Sequence, residues 1–367
     1  MNLLIDAHVL DGTPQGTSTY IKGLYHELIK QMPSASFYFV AVNVENLKQE
    51  IGQAPNVYFI QLKQKKFLRL LIEIPWIIYK YKIDYAHFQY ISPPLKLCKY
   101  IVTTHDILFK DFKHLFPLKY RIINDFLFKF SARRADILLT VSQYSRESIA
   151  IKYRIPINKI AITHNGVSND FFVPIEHSDI IKFKSKYKLD RYILYISRIE
   201  PRKNHILLLK AFNDLRLWNQ NYKLVFIGKR DFSHHELDLF LEGCVEDCRN
   251  STLYFDNIEQ NELVKFYKGA ELFVYPSLAE GFGIPPIEAI AAGTPILCSN
   301  ATAMSDFEFL KDDLFDPYNL EELKMKMLNK LNQERDPNQA GRLQQIVSQR
   351  YSWHGSAEKF IFALNLK

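Results

Sequence analysis

Short runs of Val, Ile, Leu, Phe and Tyr recur along this chain with helix-patterned segments between them, and this alternation restricts the fold more than any other feature. LLIDAHVL, FYFVAV, VYFIQL, IDYAHF, YIVTTHD and ADILLTVS read as strands, and GTSTYIKGLYHELIKQM after the first has helical spacing. From residue 190 the pattern restarts with YILYIS, KLVFIG, TLYFD, ELFVYPS and TPILCS. Strands apolar on both faces and alternating with helices belong in parallel sheets covered on both sides. A length of 367 residues is more than one core usually organises. The stretch 165–190 breaks both periods and is rich in turn residues, so the linker is expected there. Two doubly wound α/β domains follow, 1–170 and 171–351, with ligands at the carboxyl ends of strands in the cleft between them.

Several classes fall away. The opening MNLLIDAHVLDG carries Asp6 within its apolar run and no basic flank, so it reads as a first strand rather than a signal peptide. No uncharged apolar run approaches the ~18 residues of a spanning helix, and a soluble, cytoplasmic protein is expected. Cys244 and Cys248 form a C-x3-C pair near His234 and His235, but no second pair follows, so reduced structural thiols are expected and no metal. DGTPQGTSTY offers only Gly12 and Gly16, KLVFIGKRDF only Gly228, and no P-loop pattern occurs, which argues against dinucleotide and P-loop chemistry. Charge is lopsided: residues 61–160 hold 19 Lys+Arg against 7 Asp+Glu. That half is suited to something anionic, yet no nucleic-acid motif accompanies it.

Two stretches carry the chemistry. In PSLAEGFGIPPIEAIAAGTPIL (276–297), Glu280 precedes Gly281-Phe282-Gly283, and Glu288 is expected in the first turn of a helix opened by Pro285-Pro286 and closed by Gly293. The glycines allow close approach of backbone to a ligand, and a helix N-terminus there can seat a diphosphate. Carboxylates accept paired hydrogen bonds and so suit vicinal sugar hydroxyls. In ISRIEPRKNHILLLKAF (196–212), Arg198 and Lys203 flank a turn at the end of a strand, where two cations can neutralise phosphate.

With these residues in view the chain resembles the retaining, metal-independent family 4 glycosyltransferases of GT-B fold. EGFGIPPIEAIAAGTPI is similar to their E-x7-E signature and SRIEPRKN to their Arg-x4-Lys diphosphate motif. VTTHDI (102–107) matches their interdomain His-Asp, ADILLTVSQYSRESI and ITHNGV the approach to the linker, and RYSWHGSAEKF a closing helix, about 352–367, that returns to the first domain. The resemblance implies that Arg198 and Lys203 hold the diphosphate of a nucleotide sugar and Glu288 its ribose. It places Glu280, with the backbone N–H groups of Gly281, Phe282 and Gly283, at the transferred sugar. It sets His105 opposite, near sugar and acceptor, Gly16 beside the donor, and Ile258 as a backbone contact to the base. Ser197 stands where a glycine often precedes the Arg, and Thr17-Ser18-Thr19 replaces a more glycine-rich loop.

No D-x-D motif occurs, and the cationic pair makes a metal unnecessary. A glycosidase would leave Arg198 and Lys203 without an anionic partner. The resemblance implies no cofactor beyond the nucleotide-sugar substrate, and a hexosyl transfer, first to be sought with GDP-mannose, to a glycan or lipid-linked glycan in cell-surface polysaccharide assembly. UDP- or dTDP-sugars, a GT-B epimerase and a non-catalytic nucleotide-sugar sensor are the alternatives. The segment KQKKFLRLLIEIPWIIYKYK (63–82) is apolar nearly all round with cations at both ends and Pro75 in the middle. A buried, kinked helix is expected; the alternative is a face on anionic lipid at the inner side of a membrane.

Overall fold

Each half of the strand–helix alternation closes into its own parallel sheet. The computed structural model describes residues 1–12, 15–63, 68–230, 235–256 and 258–365. The first sheet contains β1 (Asn2–Asp6), β2 (Ser36–Ala41), β3 (Val57–Gln61), β4 (Tyr85–Gln89), β5 (Lys99–Thr103), β6 (Ile137–Thr140) and β7 (Ile160–Ile162), in the order 3-2-1-4-5-6-7. The second contains β8 (Arg191–Ile196), β9 (Tyr222–Ile227), β10 (Thr252–Phe255), β11 (Leu272–Tyr275), β12 (Ile296–Ser299) and β13 (Leu314–Phe315), in the order 10-9-8-11-12-13. All these pairings are parallel. One compact unit is Met1–Gly166 with the C-terminal residues from Tyr351; the other is Val167–Arg350. Strands β7 and β13 go beyond the sequence reading, being only three and two residues long.

Strand order reverses once in each sheet. The chain steps outward from β1 to β2 and β3, then returns to lay β4 beside β1; β8, β9, β10 and β11 repeat the move. Loops leaving the two adjacent strands at such a reversal diverge to opposite faces and open a crevice at the carboxyl ends.

Handedness assigns the helices. Right-handed crossovers place Gly16–Gln31 and Val44–Ile51 on one face of the first sheet, and the segments 69–80, Leu118–Arg134 and Gln143–Tyr153 on the other. Helix Trp353–Asn365 packs on Gly16–Gln31, with Phe360 edge-on to Tyr25. Trp353 sits so close that a Cβ on Gly23 would lie 2.1 Å from its ring, so this contact requires glycine.

Segment 63–82 departs from the expected buried helix. Residues 64–67 lie outside the described residues; after them a π-helical stretch, Arg69–Glu73, runs into helix Ile74–Lys80. Pro75 has no N–H to give to the preceding turn and its ring crowds that turn, so a widened turn is the local solution. Leu70, Ile74, Ile77 and Ile78 join the core with Leu4, Val40 and Phe88, whereas Leu71, Ile72, Trp76 and Tyr79 are exposed.

Candidate active site

Both stretches singled out in the second half converge at the β8/β11 reversal. β8 leads through Ser197 and Arg198 to a 3-10 turn, Pro201–Lys203, and helix His205–Asp214. β11, its neighbour, leads through Pro276–Gly283 to helix Ile284–Ala291. The loops are stitched together: Leu278 N–H donates to the Arg202 carbonyl at 2.9 Å.

Glu280 is the centre of this region. Its buried carboxylate accepts from Lys203 Nζ at 2.5 Å, Ser277 Oγ at 2.7 Å, Tyr275 OH at 2.9 Å and Arg202 Nη1 at 3.0 Å. Burial alone would raise its pKa, but Lys203, Arg202 and the Ser277 hydroxyl outweigh burial and hold it at about 2. Its own N–H donates to Thr302 Oγ1 at 2.8 Å.

The two cations singled out in the sequence meet different acids. Lys203 meets Glu280, while the Arg198 guanidinium, 34% exposed, lies 3.8 Å from Glu200. Arg202, missed in the sequence reading, bridges Glu280 and Glu200, the latter at 2.5 Å. The only signal for it was its place in the PRK triplet, which equally describes a solvated turn.

Glu288 sits in the second turn of its helix rather than the first, because the helix begins at Ile284. Its partner is the Tyr267 hydroxyl at 2.8 Å. Burial raises the carboxyl pKa to about 7, against the lowering effect of that single hydrogen bond. Two glutamates eight residues apart are thus driven in opposite directions. Gly281 and Phe282 are buried, and Gly283 caps the helix at φ 103°, a left-handed conformation that favours glycine. Gly293 closes the helix at φ 75°. Ile258 follows β10, two strands from β8, and is partly buried.

His105 and Gly16 belong to the first unit. Gly16 is the exposed first residue of its helix. His105 lies just beyond β5, buried, with Nε2 2.6 Å from Gln89 Oε1. Gln89 Nε2 is 3.2 Å from His87 Nε2, which also meets Thr103 Oγ1 at 2.8 Å; His87 Nδ1 meets Tyr25 OH at 2.7 Å. Burial depresses both imidazoles to about 3, so this is a neutral relay. Asp106 accepts from Leu108 N–H at 3.2 Å and Tyr90 OH at 3.4 Å.

Cys244 and Cys248 are buried free thiols; burial raises both pKa values, Cys248 to about 12. No cluster of three His, Cys, Asp or Glu able to hold a metal occurs among the described residues, and His234 lies outside them.

Comparison with known proteins bears on the family and the fold. Residues 14–171 match the family model described as Glycosyltransferase Family 4, and residues 177–345 the one described as Glycosyl transferases group 1. The chain is 29% identical to the O-antigen chain mannosyltransferase B of Escherichia coli, over 77% of this chain and 75% of that protein. It is 32% identical to the O-antigen chain mannosyltransferase RfbU of Salmonella typhimurium, over 54% of this chain and 51% of that one. The match to a serotype-specific mannosyltransferase WbdA of Escherichia coli spans 61% of this chain at 30% identity, but 28% of WbdA's own length. Among solved structures, a glycosyltransferase from Rickettsia africae ESF-5 superposes with a TM-score of 0.74 at 17% identity, covering 98% and 96% of the two chains. Sucrose-phosphate synthase from Thermosynechococcus elongatus gives 0.76 at 17% identity, covering 100% and 98%.

Proposed function

Because the chain belongs to the family 4 glycosyltransferases of GT-B fold and is a hexosyltransferase, we propose that it moves mannose from GDP-mannose, with retention, to a glycan of cell-surface polysaccharide assembly. The observation that carries the reading is the ion set at the β8/β11 reversal. Arg198, Arg202 and Lys203 gather there with Glu200 and Glu280, so that among the described residues three cations stand where an anionic leaving group would be held. In this reading Arg198 and Lys203 take the diphosphate and stabilise the charge that grows on it. Glu288 takes the ribose, and Glu280 with Gly281, Phe282 and Gly283 the transferred sugar. Gly16, Ile258 and His105 line the donor and acceptor as the family resemblance implies. Mannose is favoured because the relatives named above are mannosyltransferases at 29–32% identity.

A thermal-shift panel of GDP, UDP and dTDP, followed by turnover of the matching sugar donor, tests this. A ligand at ~100 Kd adds about 2.7 kcal/mol of stability, so the preferred base stands out. Stabilisation by UDP or dTDP without GDP would overturn the donor. Donor turnover with no acceptor consumed would favour an epimerase, and binding without turnover a sensor.

The acceptor is proposed to be lipid-linked, met at the inner face of an anionic membrane. No helix among the described residues is long and apolar enough to cross one. The support is one face of the first unit. Segment 69–80 and helix Leu118–Arg134 cover the same side of the sheet, and both present apolar side chains to solvent: Trp76 and Tyr79 on one, Leu118, Ile122 and Phe126, 70% exposed, on the other. Lys119, Arg121, Lys129, Arg133 and Arg134 share the second helix with a single acid, Asp125, which Lys110 engages at 2.8 Å. Apolar side chains flanked by cations suit an anionic interface. Sedimentation with acidic vesicles should be strong at low salt and weaken as salt rises. Ile122→Gln with Phe126→Gln should lower it several-fold. Equal sedimentation with neutral vesicles would remove the lipid reading.

A further inference from the structure

The reversal between β1 and β4 holds a cavity of about 290 Å³ within the first unit, lined among others by His8, Gln15, Gln89, Tyr90, Asp106 and Tyr120. It is at the small end of ligand pockets, which run from about 300 to 1,000 Å³, so it fits a single ring rather than a nucleotide. No Lys or Arg is among its described lining residues, and a carboxylate, Asp106, is. That combination disfavours phosphate. It suits a neutral molecule with hydroxyls for the polar groups and a carbon face for the aromatic rings.

One wall is unusually prepared. His8 follows β1, and its Nδ1 lies 2.9 Å from Oδ1 of Asp6, which is fully buried. Buried Arg69 reaches the same oxygen at 3.4 Å from the π-helical stretch. Asp6 Oδ2 and Arg69 Nε have no hydrogen-bond partner among the described residues. A buried ion pair with polar atoms left over is a poor way to stabilise a fold. It is a good way to fix an imidazole: with Nδ1–H given to Asp6, Nε2 is the nitrogen that remains for an occupant. The His8 side chain is 34% exposed, so that nitrogen can be reached.

We infer that this cavity binds one neutral hexose ring, the terminal sugar of the acceptor, and that His8, oriented by Asp6, and Asp106 read its hydroxyls. The inference rests on the transferase reading, which requires a second, sugar-bearing substrate. Asp6 acts through His8 and is a positioning residue.

Saturation-transfer NMR on the full chain with methyl α-D-mannopyranoside, methyl α-D-glucopyranoside and methyl β-D-galactopyranoside tests it, with calorimetry of GDP and UDP alongside. At least one methyl hexoside should bind the wild type. His8→Ala and Asp106→Asn should each weaken it about tenfold or more, and Asp6→Asn several-fold, while His8→Gln, which keeps a polar amide, recovers part of the loss. Nucleoside diphosphate affinity should stay within about twofold in every variant, which also shows that they are folded. If the wild type binds nucleoside diphosphate but no methyl hexoside, or if the sugar is indifferent to both His8→Ala and Asp106→Asn, the inference is overturned and the transferase reading stands.

Discussion

The two strand-order reversals are built differently: clustered ions at one, and at the other a neutral relay set beside the buried Asp6–Arg69 pair. At β8/β11 the side chains are ionised, with Glu280 clasped by Lys203 and Arg202. At β1/β4 the relay His105–Gln89–His87–Tyr25 is held by neutral hydrogen bonds. One topology thus offers two environments, and the difference lies in what each can accept. An ion set can take on an anion by exchanging partners, without desolvating a new charge. A neutral relay offers direction but no charge, which suits hydroxyls. The fold supplies the crevice; the residues at the strand ends choose the ligand.

The largest effect should come from breaking the ion set. Lys203→Ala leaves the Glu280 carboxylate buried and under-compensated, and unfolding free energy should fall by about 3–5 kcal/mol. Turnover should fall roughly 10²-fold or more. Arg198→Ala should show mainly the kinetic loss, because a partly exposed guanidinium outside the buried cluster contributes about 0.5 kcal/mol or less to stability. Chemical denaturation beside steady-state kinetics separates the two. Equal destabilisation by both variants would mean that Arg198 belongs to the buried set.

Breaking the neutral relay should cost less. Gln89→Leu strands the His105 N–H, at about 1–3 kcal/mol of stability. With both imidazoles at about 3, the wild type should show no histidine titration between pH 5 and 8 from this pair in NMR. A shift there would contradict a neutral relay.

Next comes the contrast between the glutamates. Glu288, at about 7, is half-ionised near neutrality. If its carboxylate takes the ribose, nucleoside diphosphate affinity should rise about tenfold from pH 6 to 8, following the ionised fraction. Calorimetry of Glu288→Gln should be flat over that range. Linkage gives stability the opposite trend. A raised carboxyl pKa contributes stability that is complete below the unfolded value of 4.5 and is lost as pH rises through 7. Glu280, at about 2, contributes stability that is present above 4.5 and is lost as pH falls towards 2. Glu288→Gln should therefore gain on the wild type between pH 5 and 8. The smallest expected effect is none: excess EDTA should leave transfer intact, and loss restored by Mg²⁺ or Mn²⁺ would show that the ion set does not suffice.

Much of this was written in single stretches of sequence, and the remainder depends on pairings that no stretch contains. Eleven strands follow from continuous apolar runs, but β7 and β13 are too short to make one. Lys203 and Glu280 were each visible as chemistry, yet they are 77 residues apart and only the neighbouring of β8 and β11 joins them. Gln89 becomes the partner of His105 because β4 and β5 pair with Gln89 opposite Thr103. Segment 63–82 misled for another reason: a helix apolar on its inner and outer faces has the same composition as one that is buried throughout.

The packing of Trp353–Asn365 on Gly16–Gln31 also governs the order in which the protein can be made. Synthesis proceeds at about 5–20 residues per second, so roughly 330 residues and 15–70 s separate the emergence of Gly23 from that of Trp353. The unit Val167–Arg350 leaves the ribosome whole within that interval, whereas the unit begun before it still lacks a helix. Completion of the first unit therefore waits for the last stretch of the chain: the groove around Gly23 and Gly166 cannot be filled until Trp353 emerges, three residues after the second unit ends.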